Sequence, residues 1–120
     1  GKVKQPFFFH LADDEPFAFA GLWERWWGPP DSKLTDPLVT CTIITTDANS
    51  LTANVHDRMP VILPPDQHAM WLDREFSAAG PLNDILRPYP ADEMSMYPVS
   101  RFVNNANNES PECLEKVELE

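Results

Sequence analysis

Apolar residues come in short bursts separated by polar or proline-containing breaks, a pattern of short strands and short helices rather than long helices. Gln5 to His10 (QPFFFH) is an aromatic run behind a proline and suits an edge or buried strand. Leu11 to Pro16 reads as a turn. Phe17 to Trp23 (FAFAGLW) alternates large and small residues and is expected to return against the first strand as a hairpin. Glu24 to Pro37, with two tryptophans and a Gly-Pro-Pro corner, reads as a surface excursion. Thr40 to Thr46 (TCTIITT) is the strongest strand signal, because nearly every residue is β-branched and stiff at χ1. Asp47 to Val55 is a loop with a helical turn near Ala48 to Leu51, and Val61 to Leu63 is a short strand stopped by Pro64 and Pro65.

The second half carries the helices. Asp66 is placed to cap a helix whose apolar positions are Ala69, Met70, Leu72 and Phe76, with Gly80 closing it. Pro81 to Leu86 reads as a second short helix ended by Arg87-Pro88. Met96 to Val103 is the last predicted strand. These elements predict one α+β domain with a mainly antiparallel sheet and short helices.

Composition narrows the function. Nine Lys and Arg against 19 Asp and Glu give a formal net charge of -10, which argues against binding nucleic acid by general electrostatic attraction. Any such contact must be local. Thirteen prolines and four glycines imply rigid corners. Cys41 and Cys113 show neither metal-ligand nor disulfide spacing, so a reducing, cytoplasmic setting is expected. No stretch is long and apolar enough to span a membrane. His10, His56 and His68 are scattered, so neither metal nor cofactor is indicated.

The loop Thr40 to Leu63 holds the candidate chemistry. His56 is flanked by Asp57 and Arg58, and an imidazole exchanges protons near neutral pH. Surface histidines outnumber catalytic ones, so on residue type alone the plain reading is the stronger. Arg58 offers a bidentate fork for a phosphate or carboxylate, against an ion pair with Asp57 or another acid. Cys41 and Thr45 share a strand face by period two, which raises a Cys41/His56 nucleophilic pair; a cysteine in a β-branched run is more often a small core residue. Glu24 reads as a general acid or, more simply, as a partner of Arg25. Trp23, Trp26, Trp27 and Trp71 read as structural rather than as base-stacking platforms.

KQPFFFHLADDEPFAFAGLWERW, TCTIITTDANSLTANVHDRMPVIL and YPVSRFVNNANNESPECLEKV, in that order, closely resemble the SOS response-associated peptidase (SRAP) family, with the HDRMP block the most specific part. The resemblance implies a barrel-like sheet and a protein that shields abasic sites in single-stranded DNA through a covalent crosslink. In such proteins an N-terminal cysteine condenses with the abasic aldehyde to a thiazolidine, and the same cysteine trims a leader autoproteolytically. An asparagine and a glutamate from the upstream half support it. Carried over residue by residue, His56 is the acid/base, Arg58 meets the DNA phosphate near the lesion, and Thr45 touches the DNA backbone.

The chain starts at Gly1-Lys2, just after the position of the family's Y-E-W motif, so it is expected to be the C-terminal part of the domain: residues 1–108 belong to it and 109–120 form an acidic tail. The nucleophile, asparagine and glutamate are then expected upstream of residue 1. GLWERW matches a separate W-E segment, so Glu24 does not stand in for that glutamate, nor Cys41 or Cys113 for a cysteine that needs a free α-amine. The missing half is also expected to supply the groove's positive charge. Residues 1–120 by themselves are expected to be inactive, with unpaired strand edges and a partly exposed core. Two alternatives stand beside this: a non-enzymatic scaffold or remnant that folds with a partner, and a cysteine hydrolase using Cys41 and His56.

Overall fold

Three strands each bend at one residue, and the three bends hydrogen-bond to one another in a ring. Ala20 N–H donates to Val61 O at 2.8 Å, Val61 N–H to Ile44 O at 2.9 Å, and Ile44 N–H to Ala20 O at 3.0 Å. The computed structural model describes residues 3–119. Its strands are β1 (Phe7–Leu11), β2 (Ala18–Phe19), β3 (Gly21–Trp26), β4 (Leu38–Ile43), β5 (Thr45–Asp47), β6 (Arg58–Pro60), β7 (Ile62–Leu63) and β8 (Met94–Pro98). The hub residues are the breaks between β2 and β3, β4 and β5, and β6 and β7. From it radiate three antiparallel ladders, β2 with β7, β3 with β4 and β5 with β6.

The hub explains two departures from the sequence pattern. Phe17–Trp23 and Thr40–Thr46 each look like one strand, but each is cut by a bend, at Ala20 and at Ile44, where the chain leaves one partner for another. Ala20 and Val61 have no exposed surface, so the ring closes only around a small residue at position 20.

The expected hairpin between the first two strands does not form. β1 instead pairs with β8 from the far end of the chain, in register from Phe7 opposite Pro98 to Leu11 opposite Met94. The intervening turn, with Asp14 at φ 59°, carries the chain away, and packing decides the partner: the Phe8 ring meets that of Tyr97 at a tilt, centroids 5.4 Å apart, while Leu11 and Met94 share a core. The mixed helix and strand content and antiparallel pairing agree with an α+β class. The described strands nevertheless form four separate two-stranded ladders, and none closes into a barrel; the bends at the hub separate three of them, and β1 with β8 stands apart.

Around the hub lie two small cores. Ile62 joins Leu11, Met59 and Met94 on one side, while Val61 and Leu63 join Ala20 and Ile85 on the other, as alternation along a strand requires. The helices are α1 (His68–Leu72) and α2 (Ala79–Ile85). The helix expected to reach Gly80 stops at Leu72 because the Asp73 carboxylate accepts from Glu75 N–H at 2.9 Å, a local turn that competes with helix; Gly80 lies inside α2. Asp66 makes no side-chain cap and lies in a 3-10 turn. β8 ends early, since Ser100 Oγ accepts from Phe102 N–H at 3.2 Å and starts a 3-10 turn at Arg101. Beyond it, residues 111–117 fold back on β8: Tyr97 donates its hydroxyl to Leu114 O at 2.7 Å and Val117 N–H donates to Pro98 O at 3.0 Å.

The β3–β4 ribbon projects from this body. Trp23, Val39 and Ile43 on one face, and Leu22, Trp26 and Leu38 on the other, are all about half exposed or more. The chain's radius of gyration, 18.2 Å, exceeds the roughly 14 Å of a compact domain this size.

Candidate functional site

The β5–β6 ladder hangs from the hub at Ile44 and Val61, and the loop 48–57 closes its outer end. Ladder register sets Asp47 opposite Arg58, Thr46 opposite Met59 and Thr45 opposite Pro60. Met59 is buried and anchors the strand, while Arg58 before it faces outward. Arg58 Nη1 donates to Asp47 Oδ1 at 2.9 Å, and its Nη2 donates to Thr45 O at 2.9 Å and Thr45 Oγ1 at 3.2 Å. The guanidinium thus lies flat along β5, with Nε–H and one Nη1 hydrogen unengaged by those bonds. Asp47, not Asp57, is its ion-pair partner, because a residue next along a strand points to the other side.

His56 stands just before β6. Its Nδ1 accepts from Arg58 N–H at 3.0 Å and lies 3.1 Å from Asp57 Oδ1. The same nitrogen lies 3.2 Å from Arg58 O, so it accepts from Arg58 N–H in the Nε2–H tautomer and donates to Arg58 O or to Asp57 in the Nδ1–H tautomer. Nε2 makes no hydrogen bond among the described residues and is the ring nitrogen open to a bound molecule. The ring is largely exposed, so its contact with the equally open Asp57 carboxylate is screened by water. Beside it opens a cavity of about 190 Å³ walled by Phe9, Phe17, Phe19 and Val55, with His56 and Arg58 on its lining.

His56, Arg58 and Thr45 are therefore brought to one rim. Cys41 is not: it is exposed on β4 opposite Trp23, in a separate cleft with Glu24 and Thr40. A strand that would have buried Cys41 is interrupted at Ile44 and continues into the exposed ribbon, so the residue is neither core nor a partner of His56. Glu24 and Arg25 point to opposite faces of β3, and Arg25 lies over the Trp23 ring at 5.8 Å instead. Trp71 alone of the tryptophans packs inward, donating Nε1–H to Gly21 O at 3.2 Å, while Trp23, Trp26 and Trp27 are exposed. His10 pairs with Asp14 at 2.7 Å and His68 lies 3.0 Å from Leu63 O.

Two residues that residue type did not single out complete the rim. Asp47 steers the Arg58 fork, and Asn49 organises the loop leading to His56. The Asp-Ala-Asn-Ser run carried a signal for the latter, since Asn accepts from backbone amides two and three residues on.

The ladder thus presents an imidazole and an arginine fork beside an apolar cavity at one loop rim. The chain belongs to the SOS response associated peptidase (SRAP) family, which it matches over residues 1–106. It is 45% identical over 114 residues to the abasic site processing protein YoqW of Bacillus subtilis (strain 168), covering 95% of this chain and 49% of that protein. It is 36% identical over 138 residues to the abasic site processing protein HMCES of Gallus gallus, covering 99% and 40%. A crystal structure of a protein from Bacteroides thetaiotaomicron superimposes with a TM-score of 0.83 at 29% identity, covering 98% of this chain and 50% of that one. The chain spans about half the length of the curated relatives it matches.

Proposed function

We propose that residues 1–120 form the part of an abasic-site processing protein that carries its acid/base and its phosphate anchor. The observation that carries this reading is the convergence of His56, Arg58 and Thr45, the last two thirteen positions apart, on one rim. The relatives named for abasic site processing supply the substrate class. An abasic site in single-stranded DNA offers a ring-closed sugar, a latent aldehyde and flanking phosphates. In this reading His56 Nε2 moves the proton that opens the sugar and, in reverse, the proton that releases the link. Arg58 holds the adjacent phosphate through the N–H groups that Asp47 and Thr45 leave unengaged. Thr45 meets the DNA backbone with its hydroxyl.

The covalent step is the condensation of an aldehyde with the α-amine and thiol of an N-terminal cysteine, giving a thiazolidine and one water. Both cysteines within residues 1–120 are internal, so a polypeptide segment outside them supplies that group. The same cysteine carries the autoproteolytic peptidase activity. Residues 1–108 are the domain part and 109–120 its acidic tail; by themselves they form no adduct, and a closed barrel-like sheet arises only with the rest of the family fold.

The test joins the chain to the remainder of the domain and looks for an SDS-resistant adduct with single-stranded DNA carrying an abasic site. Loss of a general acid/base slows such a step by about 10²–10⁴-fold. His56→Ala is expected to slow formation and reversal on that scale, and unchanged rates for both would remove the role given to His56. A second reading, a non-enzymatic scaffold, draws on the exposed β3–β4 ribbon. It is favoured if the joined protein binds a partner polypeptide but never forms the adduct.

A further inference from the structure

The Asn49 side chain ties together the first turn of the loop that presents His56, and Asn54 Nδ2 adds bonds to Ser50 O at 3.1 Å and Leu51 O at 2.9 Å. Asn49 Oδ1 accepts from Leu51 N–H at 3.0 Å, Thr52 N–H at 2.9 Å and the Thr52 hydroxyl at 3.2 Å. Thr52 is buried, and its carbonyl in turn accepts from Val55 N–H at 2.9 Å and His56 N–H at 3.0 Å. A continuous run of hydrogen bonds therefore links the Asn49 amide to the backbone of His56.

The other end of the same side chain is tied to the body of the fold. Asn49 Nδ2 donates to Tyr89 O at 2.7 Å and lies 3.4 Å from the Met94 sulfur. The backbone N–H of Asn49 points to the sulfur of Met59, the residue after Arg58, at 3.4 Å. Ala48 N–H donates to Asp57 O at 3.1 Å and closes the loop beneath His56. The Asn49 side chain thus bonds both the turn before His56 and the segment before β8.

We propose that Asn49 is a positioning residue for His56, resting on the acid/base reading of that histidine. Its acceptor oxygen shapes the 3-10 turn at Thr52–Asn54, and that turn delivers the His56 backbone at the height where Nδ1 meets Arg58 N–H. Its amide donor fixes the turn to Tyr89. With both bonds made, Nδ1 of the ring is held against the Arg58 backbone and one set of partners selects one tautomer.

The test reads the ring directly and needs no DNA. In the joined protein labelled with ¹⁵N-histidine and ¹⁵N-tryptophan, the neutral His56 ring is expected to show two well-separated nitrogen signals, the mark of one tautomer. Asn49→Ala is expected to lose that separation towards an averaged pair, while the Trp71 indole N–H signal, which reports the contact with Gly21, stays in place. Asn49→Asp keeps the acceptor oxygen but turns the Nδ2 donor into a carboxylate oxygen facing Tyr89 O, so it too is expected to lose separation. The proposal is overturned if Asn49→Ala or Asn49→Asp leaves the two signals where they are. Should Asn49→Ala not fold, Asn49→Gln replaces it: its amide is one methylene out of reach, so it should average the signals, and retention in that variant overturns the proposal. An intact positioning effect with normal crosslinking by His56→Ala protein would sink the acid/base reading and leave this one standing.

Discussion

Arg58 reaches past its own ladder partner to grip Thr45 twice, through the carbonyl at 2.9 Å and the hydroxyl at 3.2 Å. Thr45 pairs across the ladder with Pro60, so the guanidinium crosses the strand diagonally and lies along β5. Asp47 offsets part of the guanidinium charge, and the Nε–H and one Nη1 hydrogen remain unengaged by these bonds on the open edge.

That geometry sets the first prediction. Arg58→Ala should weaken DNA binding by the joined protein at all sequences and lower the slope of log affinity against log salt by about 1. Arg58→Lys should not restore it, because an ammonium cannot hold Thr45 and Asp47 in a fork and a phosphate as well. Thr45→Val removes one acceptor and leaves the carbonyl, so its cost should stay near 1 kcal/mol. Fluorescence anisotropy across a salt series reads all three.

Tyr89 supplies a pH dependence. Burial, with the hydrogen bond and charge of Glu93 and the charge of Asp13 behind it, holds its phenol above the ordinary 10.0. The folded chain then keeps a proton that the unfolded chain gives up, so stability from this group is complete below pH 10.0 and falls as pH rises through the folded value. Tyr89→Phe should flatten that fall while keeping the backbone carbonyl that Asn49 uses. Denaturant unfolding over an alkaline pH series gives the comparison.

The hub tolerates little volume. Ala20 has no exposed surface and its N–H and carbonyl both take part in the ring. Ala20→Leu should destabilise the fold by about 1–3 kcal/mol by overpacking. Because the β5–β6 ladder starts at the hub, the same change should broaden the amide signals of Arg58 and Thr45, seen in a ¹⁵N spectrum.

The ribbon should behave as an interface. Trp23 is 62% exposed and Val39 62%, on one face of a strand pair with both outer edges open. Residues 1–120 by themselves should self-associate with rising concentration, and the double variant Trp23→Lys with Val39→Lys should return them to monomer in sedimentation velocity. Monomer at all concentrations for the parent chain would rule the association out.

Part of the rim could be read from residues alone. His56 and Arg58 were legible as candidates, since β-branched runs on both sides of a polar loop mark a supported rim, although the plain reading was the stronger for each; Thr45 became a DNA-contact candidate only through the family resemblance. The ion-pair partner of Arg58 was not legible, because Asp57 is nearer in sequence while Asp47 is nearer across the ladder. The pairing of β1 was likewise hidden: nothing local to Phe7–Leu11 distinguishes a hairpin partner from one some ninety residues away, Phe7 opposite Pro98, chosen by a shared core.

By itself the sequence determined the short elements, the antiparallel α+β class, and the loop that carries an imidazole beside a guanidinium, because these follow from side-chain stiffness, alternation and proline within a few residues. Only the tertiary structure decided that Ala20, Ile44 and Val61 meet in one ring, and so where each strand changes partner. The reason is physical: a backbone N–H and carbonyl are the same at every residue, and which ones find each other depends on side chains packed far away along the chain.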